Sequence, residues 1–177
     1  MTADLITDMT SLRRSPLHGV GFGIDVPGLS LAEAPFRSLL EVRSSSLPTL
    51  PGTERDGYVW QLGPQWWLVD GAPPAEPGLE VPLAGAVRSV QPSSKVVDVS
   101  AQRTTIVVGG EHALTVLAHG CSIDFSVVPP GGCVQGNLAG AQVAIGRCAG
   151  EVRRVYVRPA FARHLAAWLT DAASEYL

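Results

Sequence analysis

The sequence AQVAIGR (residues 141–147), followed by VRRVYVR (152–158) and PAFARHLAAWLTDAASEYL (159–177), decides the fold of this chain. Apolar residues alternate in the first two segments on either side of Ala149-Gly150, which is typical of two antiparallel strands joined by a short turn. In the third segment apolar residues recur at helical spacing, and Pro159 suits a first helical turn. The carboxyl-terminal part therefore predicts a hairpin that leads into a helix over residues 159–176.

The same order of elements is predicted twice more upstream. The predicted hairpins are YVWQL with QWWLV (residues 58–62 and 65–69, around Gly63-Pro64) and KVVDVS with RTTIVV (residues 95–100 and 103–108, around Ala101-Gln102). A weakly helical piece over residues 83–90 follows the first pair, and a helix over 111–119 follows the second. Residues 36–42 predict one further strand. Three strand-strand-helix units, spaced by ~40 residues, predict an α+β fold of mostly antiparallel sheet with helices on one face.

The composition describes a chain with ample apolar material and little charge. Of the 177 residues, 46% are hydrophobic and 16% are charged, and the net charge of −3 gives no reason to expect nucleic acid or an anionic membrane as partner. No run approaches the ~20 apolar residues of a membrane span, and the first residues lack the apolar segment of a signal peptide. We therefore expect a cytoplasmic protein whose apolar surface is partly buried against a partner.

The amino-terminal residues 1–31 are rich in Gly, Pro and Ser and predict an extended arm. Residues 32–177 are then expected to form a single α+β domain of two closely packed lobes. GVGFGID (residues 19–25) has spaced glycines, but no predicted strand precedes it and no predicted helix follows it. A dinucleotide-binding loop needs both elements, so this segment does not predict one.

The stretch GCSIDFSVVPPGGCVQ (residues 120–135) allows two chemical interpretations. Four residues in and around it could bind zinc: His119, Cys121, Cys133 and Cys148. No Cys-x-x-Cys pair is present, however, and a close pair is the usual start of such a site. Cys121 with His119 could instead form a nucleophile and its base, although the helix ends between them and no third group orients the base.

A structural turn is the favoured interpretation of this stretch. Gly120 ends the preceding helix, Cys121 packs as a small buried residue and Asp124 holds the turn through the backbone. Residues 129–132, Pro-Pro-Gly-Gly, then reverse the chain. No catalytic motif is present elsewhere, so we expect neither catalytic residues nor metal ligands in this chain.

Two pairs of residues are candidates for a partner interface. Trp66 and Trp67 are adjacent on one predicted strand, so their side chains point to opposite faces; either both are core, or one is offered to a partner. Arg154 and Arg158 share one face of the last predicted strand, opposite Arg153. A solvated face is expected there, or a contact with a partner's carboxylate.

The order of these motifs resembles the gamma subunit of heterotetrameric sarcosine oxidase. The matching residues are Ser15-Pro16-Leu17, Leu62-Gly63-Pro64, Trp67-Leu68, Asp98-Val99-Ser100, Arg103, Gly109, Gly120-Cys121, Asp124, Cys133, Phe161-Ala162, Leu165, Trp168-Leu169 and Ala172. They cover most of the chain, weakly over residues 18–56, and their order and spacing carry the resemblance. Gly136-Asn137 departs from the family's pattern, in which a threonine usually follows the glutamine.

The resemblance implies a fold related to the folate-binding domain of the glycine-cleavage aminomethyltransferase. It also implies a non-catalytic subunit of a complex that oxidatively demethylates sarcosine to glycine. The partners would be the alpha, beta and delta subunits, and FAD, FMN, NAD, zinc and tetrahydrofolate would belong to those subunits. The alternative is a stand-alone folate- or one-carbon-binding protein of the same fold, with Asp98 and Asp124 as candidate pterin-binding carboxylates. A cysteine-dependent enzyme built on Cys121 and His119 is the third hypothesis.

Overall fold

The computed structural model describes residues 13–46, 57–73, 85 and 93–177. These residues include ten strands and the helices α1 and α2. The strands are β1 Ile24–Val26, β2 Leu29–Ala34, β3 Ser38–Arg43, β4 Tyr58–Gly63, β5 Trp66–Gly71, β6 Lys95–Asp98, β7 Thr104–Gly109, β8 Cys133–Leu138, β9 Ala141–Arg147 and β10 Arg153–Val157. The helices are α1 Ala113–Ala118 and α2 Pro159–Ala172. Within this part of the chain, no helix is long and apolar enough to cross a membrane.

The strands form two antiparallel sheets. One sheet has six strands in the order β1-β2-β7-β10-β9-β8, and the other has four in the order β4-β5-β3-β6. In the larger sheet β2 pairs directly with β7, from Ser30 opposite Gly109 to Ala34 opposite Thr105. All four strands of the smaller sheet lie between β2 and β7 in the sequence. The smaller sheet is therefore an insertion between two neighbouring strands of the larger one.

The six-stranded sheet is covered on both faces. On one face α1 and α2 pack against alternate residues of its strands, including Val155 and Val157 of β10. On the other face Tyr156 of β10 joins Trp60 and Leu68 of the four-stranded sheet in a second apolar cluster. All five residues of β10 are buried for this reason. The predicted α+β fold, with mostly antiparallel sheet and its helices on one face, is confirmed.

Two of the three predicted hairpins are present. β4 pairs with β5 and β9 pairs with β10, and α2 begins at Pro159 and ends at Ala172, before a 3-10 turn over Ser174–Tyr176. The hairpin predicted around Ala101-Gln102 is wrong, because β6 pairs with β3 of the smaller sheet and β7 lies in the larger one. The helical piece predicted over residues 83–90 lies, except for residue 85, outside the described residues.

The chain crosses between the sheets in a short 3-10 turn over Ser100–Gln102. The turn is anchored to β3: the Val99 amide donates to the Leu39 carbonyl at 2.9 Å, and the Leu39 amide donates to Ser100 Oγ at 2.9 Å. These bonds hold the end of β6 on the smaller sheet, so β6 and β7 lie in different sheets although their local sequence pattern is that of a hairpin. Alternation predicts strands but not their partners, which explains the wrong pairing.

The predicted arm over residues 1–31 differs from the structure where the chain is described. Leu17 is buried, and Ile24–Val26 and Leu29–Ala34 form the β1–β2 hairpin of the larger sheet. Gly28 supplies its turn with a φ of 81°, a backbone conformation that glycine adopts without strain. Gly28 therefore serves a turn, and Leu29 and Leu31 enter the core.

Candidate partner surface and buried polar centre

A buried carboxylate, Asp70 at the end of β5, joins the two sheets. Its Oδ1 accepts a hydrogen bond from Arg37 Nε at 2.6 Å. Its Oδ2 accepts from Arg154 Nη1 at 2.7 Å and from Tyr156 Oη at 2.5 Å. Trp60 Nε1 in turn donates to Tyr156 Oη at 2.6 Å. Asp70 has no exposed surface, and these donors satisfy both of its oxygens inside the protein.

Burial and the charge of Asp70 explain why Tyr156 is protonated. Burial, together with the neighbouring charge of Asp70, raises the pKa of Tyr156 well above its ordinary value. Tyr156 therefore keeps its proton and can donate to Asp70. Two guanidinium groups face the single carboxylate, so removing it would leave two buried cations without this counter-charge. The centre is enclosed and serves to hold the sheets together.

Arg154 was one of the predicted interface residues, and its position needs a correction. It is buried, and the carboxylate that it contacts is Asp70 of the same chain. Its face of β10 is not solvated because the four-stranded sheet covers it. Arg153, on the opposite face, is buried as well, whereas Arg158 is exposed immediately before α2. Of these arginines, Arg158 is the one placed to meet another protein.

The two predicted interface tryptophans occupy different surroundings. Trp66 Nε1 donates to Glu41 Oε2 at 3.2 Å, and the Arg43 guanidinium lies 4.3 Å from the centre of its ring. Trp67 packs on the other face, beside the cluster that contains Val69, and its Nε1 donates to the Ser44 carbonyl at 3.1 Å. Both side chains are half-buried.

Trp67 also lines an open groove of about 800 Å³. One wall comes from β4 and the β4–β5 turn, and the other comes from residues 127–134. Val127, on the rim, has 74% of its surface exposed, the largest fraction among the large apolar side chains of the described residues. An open, largely apolar groove with a tryptophan in its wall is the kind of surface that another protein covers.

The cysteines are placed as packing residues. Cys121 is buried in the cluster beneath α1 and α2, and the Nε2 of His119 lies 3.7 Å from Glu175 Oε1. Burial raises the pKa of the Cys133 thiol to about 12, and it also raises the pKa of Cys148. A high pKa disfavours the reactive thiolate. Among the residues that the structure describes, no three His, Cys, Asp or Glu side chains form a group suited to a metal ion.

Within the stretch over residues 120–135 a short 3-10 helix spans Phe125–Val127, and β8 begins at Cys133. Asp124 is exposed; its Oδ1 accepts from the Ser126 amide at 2.9 Å and from Ser126 Oγ at 2.6 Å, and these bonds lower the pKa of its carboxyl. Asp98 Oδ1 accepts from the Ser100 amide at 2.8 Å. Both candidate pterin-binding carboxylates thus hold local turns, although Asp98 also lines a cavity of about 470 Å³.

The polar centre was not predicted from the sequence. Arg37, Trp60, Asp70 and Tyr156 were not singled out there. Two signals could have indicated the centre: an acid directly after the apolar run WWLV, and two arginines inside an otherwise apolar strand. A charge in an apolar strand needs a partner, but the sequence does not show that these two strands face each other.

Comparisons with solved structures define the class of the protein. A chain of the heterotetrameric sarcosine oxidase from Corynebacterium sp. U-96, in complex with pyrrole 2-carboxylate, matches with a TM-score of 0.76 at 22% identity, over 93% of this chain and 96% of that one. The glycine cleavage system aminomethyltransferase T from Bartonella henselae matches with a TM-score of 0.56 at 14% identity, over 81% of this chain and 45% of that enzyme. The chain is an α+β protein of the aminomethyltransferase-like fold.

The sequence comparison gives the particular relative. Sarcosine oxidase subunit gamma of Corynebacterium sp. (strain U-96) is 26% identical over 203 aligned positions, which span 99% of this chain and 97% of the relative. No protein-family model matches the chain. The chain is a homologue of the sarcosine oxidase gamma subunit, and the resemblance predicted from the sequence is confirmed.

Proposed function

We propose that this chain is the non-catalytic gamma subunit of a heterotetrameric sarcosine oxidase complex, which oxidatively demethylates sarcosine to glycine. The observation that carries the proposal is the end-to-end match: the alignment spans 99% of the chain and 97% of the gamma subunit. A shared domain within an otherwise different protein would leave part of one partner unmatched. The TM-score of 0.76 over nearly the whole length supports the same conclusion.

The proposal assigns the chemistry to other chains of the complex. The partners are alpha, beta and delta subunits in the cytoplasm, and FAD, FMN, NAD, zinc and tetrahydrofolate are held by those subunits. The surroundings of the cysteines support a structural role for this chain, since burial favours the protonated thiol of Cys133 and Cys148.

The groove beside Trp67 is the proposed contact with a larger subunit, and Arg158 is a second candidate contact. A partner side chain in the groove would bury Trp67 further and cover Val127 on the rim. Interface energy is concentrated in a few such apolar and aromatic residues. This contact explains why an apolar groove is left open on the isolated chain.

Co-expression with the other subunits tests the proposal. A tagged form of this chain should retain the larger subunits on an affinity column, and the eluate should show flavin absorption and sarcosine-dependent peroxide formation. Elution of the tagged chain by itself, from cells that contain folded partner subunits, would contradict the proposal.

Two exposed valines provide a matched pair for locating the contact. Val127→Asp places a charge on the groove rim, whereas Val97→Asp places one on β6, where the side chain is 55% exposed and outside the groove. We expect the first variant to lower retention of the partners and the second to leave it unchanged, with equal melting temperatures for the two free chains. Loss of assembly with Val97→Asp alone would place the interface at the β6 edge of the smaller sheet, away from the groove.

The fold also allows the alternative of a stand-alone folate-binding protein, because a glycine-cleavage aminomethyltransferase is among its structural neighbours. Titration of the isolated chain with tetrahydrofolate separates the two hypotheses. Tight binding that is lost in Asp98→Asn, without retention of partner subunits, would favour the alternative.

A further inference from the structure

Two arginines lie directly opposite each other at the end of the larger sheet where β9 turns into β10. Arg147 of β9 and Arg153 of β10 are partners in the strand register. Two positions away on each strand, Ile145 and Val155 belong to the cluster beneath α1 and α2. Side chains alternate along a strand, so both arginines point to this same face of the sheet, with their Cβ atoms ~4.5–5.5 Å apart.

The arginine pair has no counter-charge on the sheet. Like charges directly opposite each other destabilise a sheet. The next residues across the sheet on either side of the pair are Val108 of β7 and Gly132, and neither is charged. Among the described residues, no carboxylate forms an ion pair with Arg147 or Arg153. The charge of Glu151, in the β9–β10 turn, acts on Arg153 from an exposed position.

The two guanidinium groups also leave the same edge without an acceptor. Arg147 donates through Nη1 to the Val128 carbonyl at 2.7 Å. Arg153 donates through Nη1 to the carbonyls of Val152 at 3.0 Å and Gly150 at 3.4 Å. The Nε atom of each arginine is buried and has no partner among the described residues. The edge formed by Nε and Nη2 is the fork with which arginine binds two oxygens of an anion.

The number of charges indicates the class of anion. Each guanidinium keeps its positive charge, since arginine is not deprotonated in proteins. Burial, and next the charge of Arg147, lowers the pKa of Arg153, so the folded chain disfavours the charged pair as it stands. Water could accept hydrogen bonds from the two edges but would leave both charges uncompensated. A carboxylate or a chloride ion would balance one charge, whereas a phosphate dianion balances both and has enough oxygens for two forks.

The surroundings of the pair are held in place by the segment over residues 128–132. The Arg147 carbonyl accepts from the Gly131 amide, and the Arg147 amide donates to the Gly132 carbonyl, both at 2.9 Å. The bond from Arg147 Nη1 to Val128 is a third connection to the same segment. Arg153 is 1% exposed, and in such an enclosed setting an anion attracts a guanidinium group more strongly than in water.

We propose that Arg147 and Arg153 bind one phosphate group, which bridges the Nε–Nη2 edges of the two side chains. The phosphate offsets the repulsion between the two arginines and ties the β9–β10 turn to the segment over residues 128–132. Inorganic phosphate and the phosphate group of an organic ester offer the same chemistry, and the enclosed position favours inorganic phosphate. The site belongs to this chain by itself and does not depend on assembly of a complex.

Calorimetry and melting curves of the full chain test this site. Inorganic phosphate is added to the dialysed chain at constant ionic strength, and chloride and glycerol phosphate are added in parallel samples. We expect inorganic phosphate to bind saturably, one per chain, and to raise the melting temperature. Tighter binding of glycerol phosphate would identify an organic ester as the source of the phosphate group. No saturable binding of either phosphate compound, or an equal effect of chloride, would overturn the proposal.

Three substitutions locate the bound phosphate. Arg147→Gln removes one of the two forks, so the affinity for phosphate should fall about tenfold or more. Glu151→Gln removes the carboxylate that competes for Arg153, so the affinity should rise about twofold to fivefold. Arg163→Gln is the control for the loss of one positive charge, because Arg163 lies on α2 and its Nε donates to the Pro16 carbonyl at 3.1 Å. Its affinity for phosphate should stay unchanged.

The rise in melting temperature caused by phosphate separates binding from folding. It should disappear in Arg147→Gln and persist in Arg163→Gln, whatever the melting temperatures of the two variants without phosphate. Glu151→Gln changes an exposed side chain and provides a test that does not depend on the folding of Arg147→Gln. Unchanged affinity in Arg147→Gln, or a fall in affinity in Glu151→Gln, would show that phosphate binds elsewhere.

Discussion

Asp70 accepts hydrogen bonds from Arg37, which precedes β3, and from two residues of β10, Arg154 and Tyr156. These donors converge only when the two sheets pack in one relative position. An apolar side chain could fill the same space, but it would not demand the same alignment. At this scale the sequence shows the buried acid and the arginines without showing that they meet, because their contacts span 33 to 84 positions along the chain.

Asp70→Asn is the most direct test of this centre. The substitution keeps the size of the side chain but leaves Arg37 and Arg154 buried beside a neutral amide. We expect the free energy of unfolding to fall by ~3–5 kcal/mol, as for other broken buried ion pairs. Urea denaturation measures this loss. The control is Asp25→Asn on the exposed face of β1, which should change stability by less than ~0.5 kcal/mol. Equal losses in the two variants would contradict a structural role for Asp70.

Cys133 makes the stability depend on pH. Burial raises the pKa of its thiol from an ordinary value near 9 to about 12, so the folded chain holds this proton more tightly than the unfolded chain does. The stabilisation is fully present below pH 9 and is lost as the pH rises from about 9 towards 12. Cys133→Ala removes this titration.

Denaturation at about pH 8 and about pH 10 measures the effect. The free energy of unfolding should fall less between these values in Cys133→Ala than in the unmodified chain. Burial also raises the pKa of Cys148, so this thiol contributes a loss of stability at high pH in both the variant and the unmodified chain. A steeper loss in the variant would mean that the Cys133 thiol ionises more easily in the folded state than in the unfolded state.

Among the elements, local hairpins were predictable and distant pairings were not. The β4–β5 and β9–β10 hairpins follow from alternation on both sides of a turn, and α2 follows from its helical period. β6 and β7 have the same local pattern as a hairpin, yet each has its partners elsewhere. What separates them is the anchoring of Val99 and Ser100 to Leu39, and Leu39 and Ser100 are 61 positions apart in the sequence.

Gly146→Ala tests how closely the two sheets approach at β9. A methyl group on Gly146 would lie 2.6 Å from Trp60 Cε2 and Cζ2, and Trp60 is held by its hydrogen bond to Tyr156. We expect a loss of ~1–3 kcal/mol in the free energy of unfolding, measured by denaturant titration, since an overpacked core must shift. Gly63→Ala is the control, because its methyl group would meet Trp66 at an ordinary 3.7 Å. Equal stability of the two variants would show that the sheets can separate at little cost.

For the whole molecule, the sequence predicted the similarity to the sarcosine oxidase gamma subunit and the α+β architecture. The insertion of one sheet into the other was not predictable, since it depends on the pairing of β2 with β7 across four intervening strands. The cavity that contains Asp98 was not predictable either, because three separate segments form its walls. Sites assembled from distant segments leave no local pattern.

Trp66→Ala and Trp67→Ala should separate stability from assembly. Trp66 is tied to Glu41, which also binds Arg103, so its loss should lower the melting temperature of the free chain. Trp67 lines the groove, so its loss should weaken binding to the partner subunits by ~2 kcal/mol or more, about thirtyfold. Pull-down at matched folding and thermal melts of the free chains measure the two effects. If both variants melt early and neither affects assembly at matched folding, both rings serve the core and the interface lies elsewhere.

The insertion of the smaller sheet also constrains how the chain is made on the ribosome. β2 leaves the exit tunnel before any residue of β7 exists, and the whole inserted sheet emerges between them. The four inserted strands can pair with one another once β6 has emerged. One edge of β2 stays unpaired until β7 has emerged as far as Gly109. At ~5–20 residues per second this wait lasts on the order of ten seconds. An unpaired strand edge is a template for pairing with other nascent chains. We therefore expect a chaperone to bind the β1–β2 segment of the nascent chain during this interval.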